Sequence, residues 1–159
     1  MWHDLKRTVA AKTVRFPDVR VPLIAALLAP ALARAVEMTI AVIVDPSRRA
    51  TLSEEDVARI FPRKQRFWPD GSPIVPLNRE AGSKLREAFS QRVFDSSSAA
   101  LAEYWNEQYF LGMFPPATLS STLAVKRYVA VEPNAIGYVE SAAVDGTVRV
   151  ALELTPASR

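Results

Sequence analysis

IVPLNREAGSKLREAF, residues 74–89, is the stretch whose reading decides the fold. Ile74–Asn78 is short and apolar with Pro76 inside it, which predicts a strand at a sheet edge or a strand end. Leu85, Ala88, Phe89 and Val93 recur at helical spacing, which predicts a helix over 83–94. Arg79 to Arg86 therefore joins a strand to a helix. Open α/β sheets bind ligands at the carboxyl ends of their strands. A helix that begins there aims unpaired N–H groups and a partial positive charge at the same spot. Gly82 lets a ligand approach the backbone, Ser83 adds a hydroxyl, and Arg79 can offer a two-pronged fork to an oxyanion. Arg79, Gly82, Ser83 and Lys84 are thus the candidate ligand-binding residues, suited to phosphate, sulfate or a carboxylate. The same spacing equally fits a capped helix with a tight entry and some surface charge.

Working outward, Thr39–Val44 (TIAVIV) is a continuous apolar run rich in β-branched residues, which predicts a strand buried on both faces. Ser53 reads as an N-cap before Glu54, Glu55 and Asp56, where the helix dipole favours acids. Val57, Ile60 and Phe61 then make 54–61 a short amphipathic helix, stopped by Pro62. Leu101, Tyr104, Trp105 and Tyr109 predict a further helix over about 98–110, with Trp105 in the core. FLGMF, residues 110–114, is an apolar loop expected to pack or to face a partner. Ser120 or Ser121 can cap a fourth helix with Val125, Tyr128 and Val129 inward. Ala135–Val139 (AIGYV) is a third strand. Val148, Val150, Leu152 and Leu154 alternate with Thr147, Arg149, Ala151 and Glu153, the pattern of a strand with one wet face. Trp68, beside the turn at Asp70-Gly71, is expected to plug the edge of the core. Strands alternating with helices predict an α/β fold with a central sheet.

Residues 1–35 read differently. Lys6, Arg7, Lys12, Arg15 and Arg20 precede the uncharged run Val21–Leu32 (VPLIAALLAPAL), and Ala33-Arg34-Ala35 has the small-x-small form of a cleavage site. These are the three parts of a secretory signal peptide. The apolar run of 12 residues is short against the ~20 that span a bilayer. The expectation is a leader over 1–35, a single domain over 36–159, and an exported, periplasmic product. With no cysteine after the cut, no lipid anchor is expected.

The charge balance supports that division. Six of the 20 basic residues and two of the 17 acidic ones lie in the first 35. The remainder carries 14 basic against 15 acidic groups, a net of −1. Non-specific nucleic-acid binding needs a strong positive field, so no nucleic-acid partner is expected. The chain has no cysteine, and His3, in the leader, is its one histidine. Thiol chemistry, zinc–thiolate sites and histidine base catalysis are thereby excluded from the domain. No enzyme activity, metal or cofactor is expected.

Several ordered pieces carry a resemblance: AVIVDPS, LSEEDVARIFPRKQRFWPDGSPIVPLNREAGSKLREAF and PNAIGYV, over about residues 40–139. Together they resemble the C-terminal lobe of the periplasmic substrate-binding proteins of phosphate ABC transporters. The resemblance implies a type II periplasmic-binding-protein lobe, a three-layer α/β sandwich whose central, mostly parallel sheet is flanked by about four helices. It implies that Arg79 and Ser83 match phosphate-holding residues and that Gly82 shapes their loop. The family commonly continues this loop as Gly-Ser-Gly-Thr, where this chain has Lys84 and Leu85. The acidic position of the loop is Ala81 here. Most of a first lobe is missing from the match, so the pocket is expected to be open and wet, and oxyanion affinity weak.

Two readings follow. One is an exported module that binds phosphate or another oxyanion in connection with a membrane transporter. The other is a non-catalytic interaction or sensor-accessory module that kept the fold without the ligand. Two such lobes could also form a homodimer that rebuilds a two-sided cleft.

Overall fold

The computed structural model describes residues 38–155. The expected leader lies outside the described residues. In chain order the elements are β1 (Ile40–Val44), α1 (Glu54–Ile60), β2 (Val75–Arg79), α2 (Lys84–Phe94), α3 (Ser98–Phe110), β3 (Ala117–Leu119), α4 (Thr122–Val129), β4 (Ala135–Glu140) and β5 (Arg149–Leu154). A single 3₁₀ turn, Ser141–Ala143, separates the last two strands.

The strands form one sheet in the order β3-β2-β4-β1-β5. β2 is parallel to β3 and β4, while β1 is antiparallel to both β4 and β5. Four of the five strands therefore run one way, and β1 alone is reversed. This is the mostly parallel sheet expected of a three-layer lobe. β1 reads IAVIV and is buried at every position. A β-branched run packs well on a pleated surface, and burial on both faces removes the need for polar alternation.

Because β1 is apolar on both faces, both faces need cover. Ile40, Val42 and Val44 join a core with Val57, Ile60, Leu85 and Phe89 of α1 and α2. Ala41 and Ile43 face the other way, toward Val125 and Val129 of α4. Each helix starts where a side chain takes up a free N–H. Ser53 and Asp56 form a reciprocal capping box on α1. Ser83, Ser97 and Ser121 cap α2, α3 and α4.

Arg48, in the loop after β1, ties the turn at residues 70–72 to the turn before β4. It donates to Pro133 O at 2.8 Å, to Asn134 Oδ1 at 2.9 Å and to Ser72 Oγ and Asp70 Oδ2 at 3.2 Å. Its guanidinium also lies 4.5 Å from the ring centre of Trp68, within cation–π range. Trp68 is buried, as expected, and donates from Nε1 to Asn134 O.

Three expectations are corrected. The alternation in β5 does not leave one wet face. Val42 stands opposite Leu152 but Ile43 stands opposite Val150, so Ala151 is an extra residue on β5. This bulge reverses the phase of the strand. Val148 and Val150 pack on the α4 side, and Ala151, Leu152 and Leu154 on the α1–α2 side. Second, Val125 and Val129 of α4 are inward but Tyr128 is 39% exposed, and the strand β3 has no signal in the sequence, because three residues after Pro115-Pro116 carry no usable periodicity. Third, α3 is not a core helix. None of its residues is fully buried, Trp105 is half-buried, and Tyr109 and the apolar loop after it are exposed rather than packed.

One glycine is required by packing. A Cβ on Gly137 of β4 would lie 2.6 Å from Val125 Cγ1, so α4 sits against bare backbone there. Gly137→Ala is expected to lower stability by about 1–3 kcal/mol through overpacking, read as an earlier denaturation midpoint in urea. An unchanged midpoint would show that α4 can lift without cost.

Candidate oxyanion site at the β2–α2 corner

β2 ends at Arg79, and after four intervening residues Lys84 opens α2. Between them the chain turns on Gly82, whose φ of 83° lies in the left-handed region that glycine adopts without strain. A Cβ at Gly82 would meet nothing within 4 Å, so the outer side of the corner is open. Ser83 is extended and caps the helix, its Oγ accepting from Arg86 N at 3.4 Å. Ala81, Gly82 and Lys84 are exposed and Ser83 half-buried. The amides of Ala81, Gly82 and Lys84, all three exposed residues, meet no acceptor among the described residues. The corner thus presents open N–H groups at the positive end of an 11-residue helix, the arrangement that attracts anions.

Arg79 lies behind the corner and is 8% exposed. Its fork is engaged by its neighbour: Nε donates to Glu80 Oε2 at 2.9 Å and Nη2 to Glu80 Oε1 at 3.0 Å. Nη1 donates to Thr122 Oγ1 at 2.8 Å, and that hydroxyl donates in turn to Glu140 Oε2 at 2.7 Å. Arg86 closes the ring from the other side, donating from Nη1 to Arg79 O at 3.1 Å. The hydrogen bond from Arg79 holds the Glu80 carboxyl below its ordinary pKa, and Glu80 raises that of Arg79.

The four residues expected from sequence are therefore at one corner, in two layers. Gly82, Ser83 and Lys84 are the outer layer, and Arg79 is the buried one, its guanidinium turned to Glu80 and Thr122. Sequence reasoning missed Thr122 and Glu140. Thr122 is the first residue of α4 and Glu140 the last of β4, so the sheet order alone brings them to Arg79. The Ser121 cap was visible as a possible helix start, but nothing near it in sequence points to residue 79.

A second, buried contact fixes Arg79. Tyr138 on β4 is fully buried and stacks on Phe89 with ring centres 3.9 Å apart and planes 1° from parallel. Its hydroxyl donates to Asn78 Oδ1 and accepts from Arg79 N at 3.3 Å. Burial pushes its pKa up to about 12. Among the described residues no group of three or more acids or histidines is placed to hold a metal. No described helix is long and apolar enough to cross a membrane.

Solved structures share this architecture. One, from Clostridium perfringens, is assigned as a phosphate ABC transporter substrate-binding protein and has phosphate bound. It matches 72% of this chain at a TM-score of 0.59 and 25% identity, over 46% of its own length. An ABC-type phosphate transport receptor from Vibrio cholerae matches 71% of this chain at a TM-score of 0.56 and 18% identity, again over 46% of its own length. The domain has the fold of part of a phosphate-transporter substrate-binding protein. It spans less than half the length of those proteins. No family model and no curated protein matches the sequence.

The Tyr138 hydroxyl gives a pH signature. Its folded pKa stands above the unfolded value of about 10, so its contribution is complete below pH 10 and is lost as pH rises toward about 12. Urea denaturation of the wild type should show stability declining from pH 10 upward. In Tyr138→Phe that decline should shrink, and stability at pH 7 should fall by about 1–2 kcal/mol through the lost hydrogen bond. Identical pH profiles for the two proteins would remove this role.

Proposed function

We propose that this is an exported oxyanion-binding module, related to phosphate-uptake binding proteins, that takes phosphate or a similar anion at the Gly82–Ser83 corner. The carrying observation is the set of open amides on exposed residues at the start of α2, with the buried Arg79 at the end of the adjoining strand. The amides and the Ser83 hydroxyl would hold the anion's oxygens, Lys84 would add a mobile cation at the rim, and Arg79 would supply the charge-assisted contact. The likeness to a phosphate-bound substrate-binding protein supports this ligand class. The leader-like residues 1–35 support export, and the transporter connection rests on the same likeness.

Affinity is expected to be low for a stated reason. Glu80 already fills the Arg79 fork in the two-pronged geometry an oxyanion would use. A ligand has to displace that carboxylate and then sits in a site open to water, where screening weakens each contact. Two-dimensional NMR of the ¹⁵N-labelled protein at low salt should show Gly82, Ser83 and Lys84 amides shifting at millimolar phosphate. Glu80→Gln should tighten binding several-fold by freeing the fork. Arg79→Lys should weaken it about tenfold or more, because a lysine cannot reproduce the bidentate contact. Unmoved corner amides in 20-fold higher phosphate than the ~1 mM range would reject the reading.

The Glu80 contact also favours a second reading, in which the corner is self-satisfied and the domain is an accessory module that binds another protein. The Glu80→Gln variant separates the two. Continued silence toward phosphate with the fork freed supports the accessory module.

A further inference from the structure

The outer surfaces of α3 and α4 are unlike the rest of the domain. On α3 and the loop after it, Tyr109, Phe110, Leu111 and Phe114 are 61%, 87%, 71% and 61% exposed. They are contiguous: the Tyr109 ring centre lies 6.2 Å from Phe110 and 5.6 Å from Phe114. Residues 93–125 contain no lysine or arginine, while Glu103 and Glu107 lie on the exposed side of α3. Neither glutamate makes an ion pair among the described residues. The surface is an aromatic patch with an acidic rim.

α4 carries the complement. Leu123 is 52%, Tyr128 39% and Val131 79% exposed. Leu123 and Arg127 are one helical turn apart, and Val131 follows just past the helix end. Arg127 is exposed and makes no ion pair among the described residues, whereas the neighbouring Lys126 is committed to Asp145 and to Ala143 O. The nearby Glu132 is turned back to Asn134 N. This is an apolar stripe with a cation in it.

The two surfaces cannot satisfy each other within one molecule. α3 packs against α2, which covers the Leu85–Phe89 side of the sheet. α4 covers the opposite side through Val125 and Val129. We infer that the α3 face of one molecule docks on the α4 face of a second copy of this chain, head to tail, with Glu107 meeting Arg127 across the contact. Taking about 200 Å² for a whole aromatic side chain, the exposed α3 patch offers roughly 500 Å². The α4 stripe adds roughly 300 Å², placing the contact at the small, transient end of specific interfaces. Since the docking faces lie on opposite sides of the sheet, each added copy leaves a free face at both ends of the chain. The association continues past a dimer or closes into a ring.

Sedimentation of the full chain over a hundredfold concentration range tests this. The expected result is a weight-average mass that rises with concentration past two chains. Phe110→Glu and Val131→Glu should each return the protein to a monomer. Both sites are exposed enough that circular dichroism should show an unchanged fold. Glu107→Arg and Arg127→Glu should each weaken association, and the two together should restore it. A monomer at every concentration overturns the inference and leaves these faces to a different protein. Association that survives Val131→Glu overturns it in favour of α3 pairing with itself, and failure of the double exchange overturns the charge contact.

Discussion

A strand of five apolar residues with no water on either side constrains the whole domain. β1 contributes no polar side chain, so both of its faces must be covered. α1 and α2 take one side and α4 takes the other. That requirement makes the fold three layers deep, since leaving either side bare would expose a large apolar surface. It also fixes where β2 and β4 end. Their carboxyl ends lie next to each other, and the helices that cover the two faces begin beside them. Arg79, Thr122 and Glu140 meet because of that enclosure.

Charge at the corner is arranged by contact rather than by net balance. The residues after the leader-like segment are close to neutral. Within the corner, Glu80 pairs with the Arg79 fork, the Thr122 hydroxyl links Arg79 to Glu140, and Arg86 donates to the Arg79 carbonyl. An internal carboxylate in the fork keeps a buried guanidinium paired when no ligand is present, which avoids the cost of an unpaired buried charge. The same contact sets the competition that an incoming anion faces. Tyr138 keeps the backbone of Arg79 in place, so the buried layer of the corner rests on the core itself.

α3 stands apart from this economy. It is tied by Tyr104 Oη to Pro62 O and by Ser98 to Glu87, but it buries no residue completely. Leu101 and Trp105 of its inward stripe line a small recess with Phe61, Phe89 and Phe94. Its outward side is left with aromatic rings in water. Sequence periodicity located the helix correctly and misjudged its depth. A helical stripe states which side chains turn inward, but only the neighbouring elements decide how much they are covered.

By itself the sequence determined the local structure. Runs of β-branched residues, the serine caps and the proline stops encode β1, the helices and the strand–loop–helix corner through interactions a few residues long. Gly82, Ser83 and Arg79 were legible for the same reason, because a turn, a cap and a strand end are local features. The tertiary structure decided what depends on distant partners. The bulge at Ala151 appears only when β5 is laid against β1. β3 exists only because β2 offers it an edge. The Glu80–Arg79–Thr122–Glu140 chain depends on sheet order, which places residues 79 and 140 side by side, and no spacing along the chain encodes that neighbourhood.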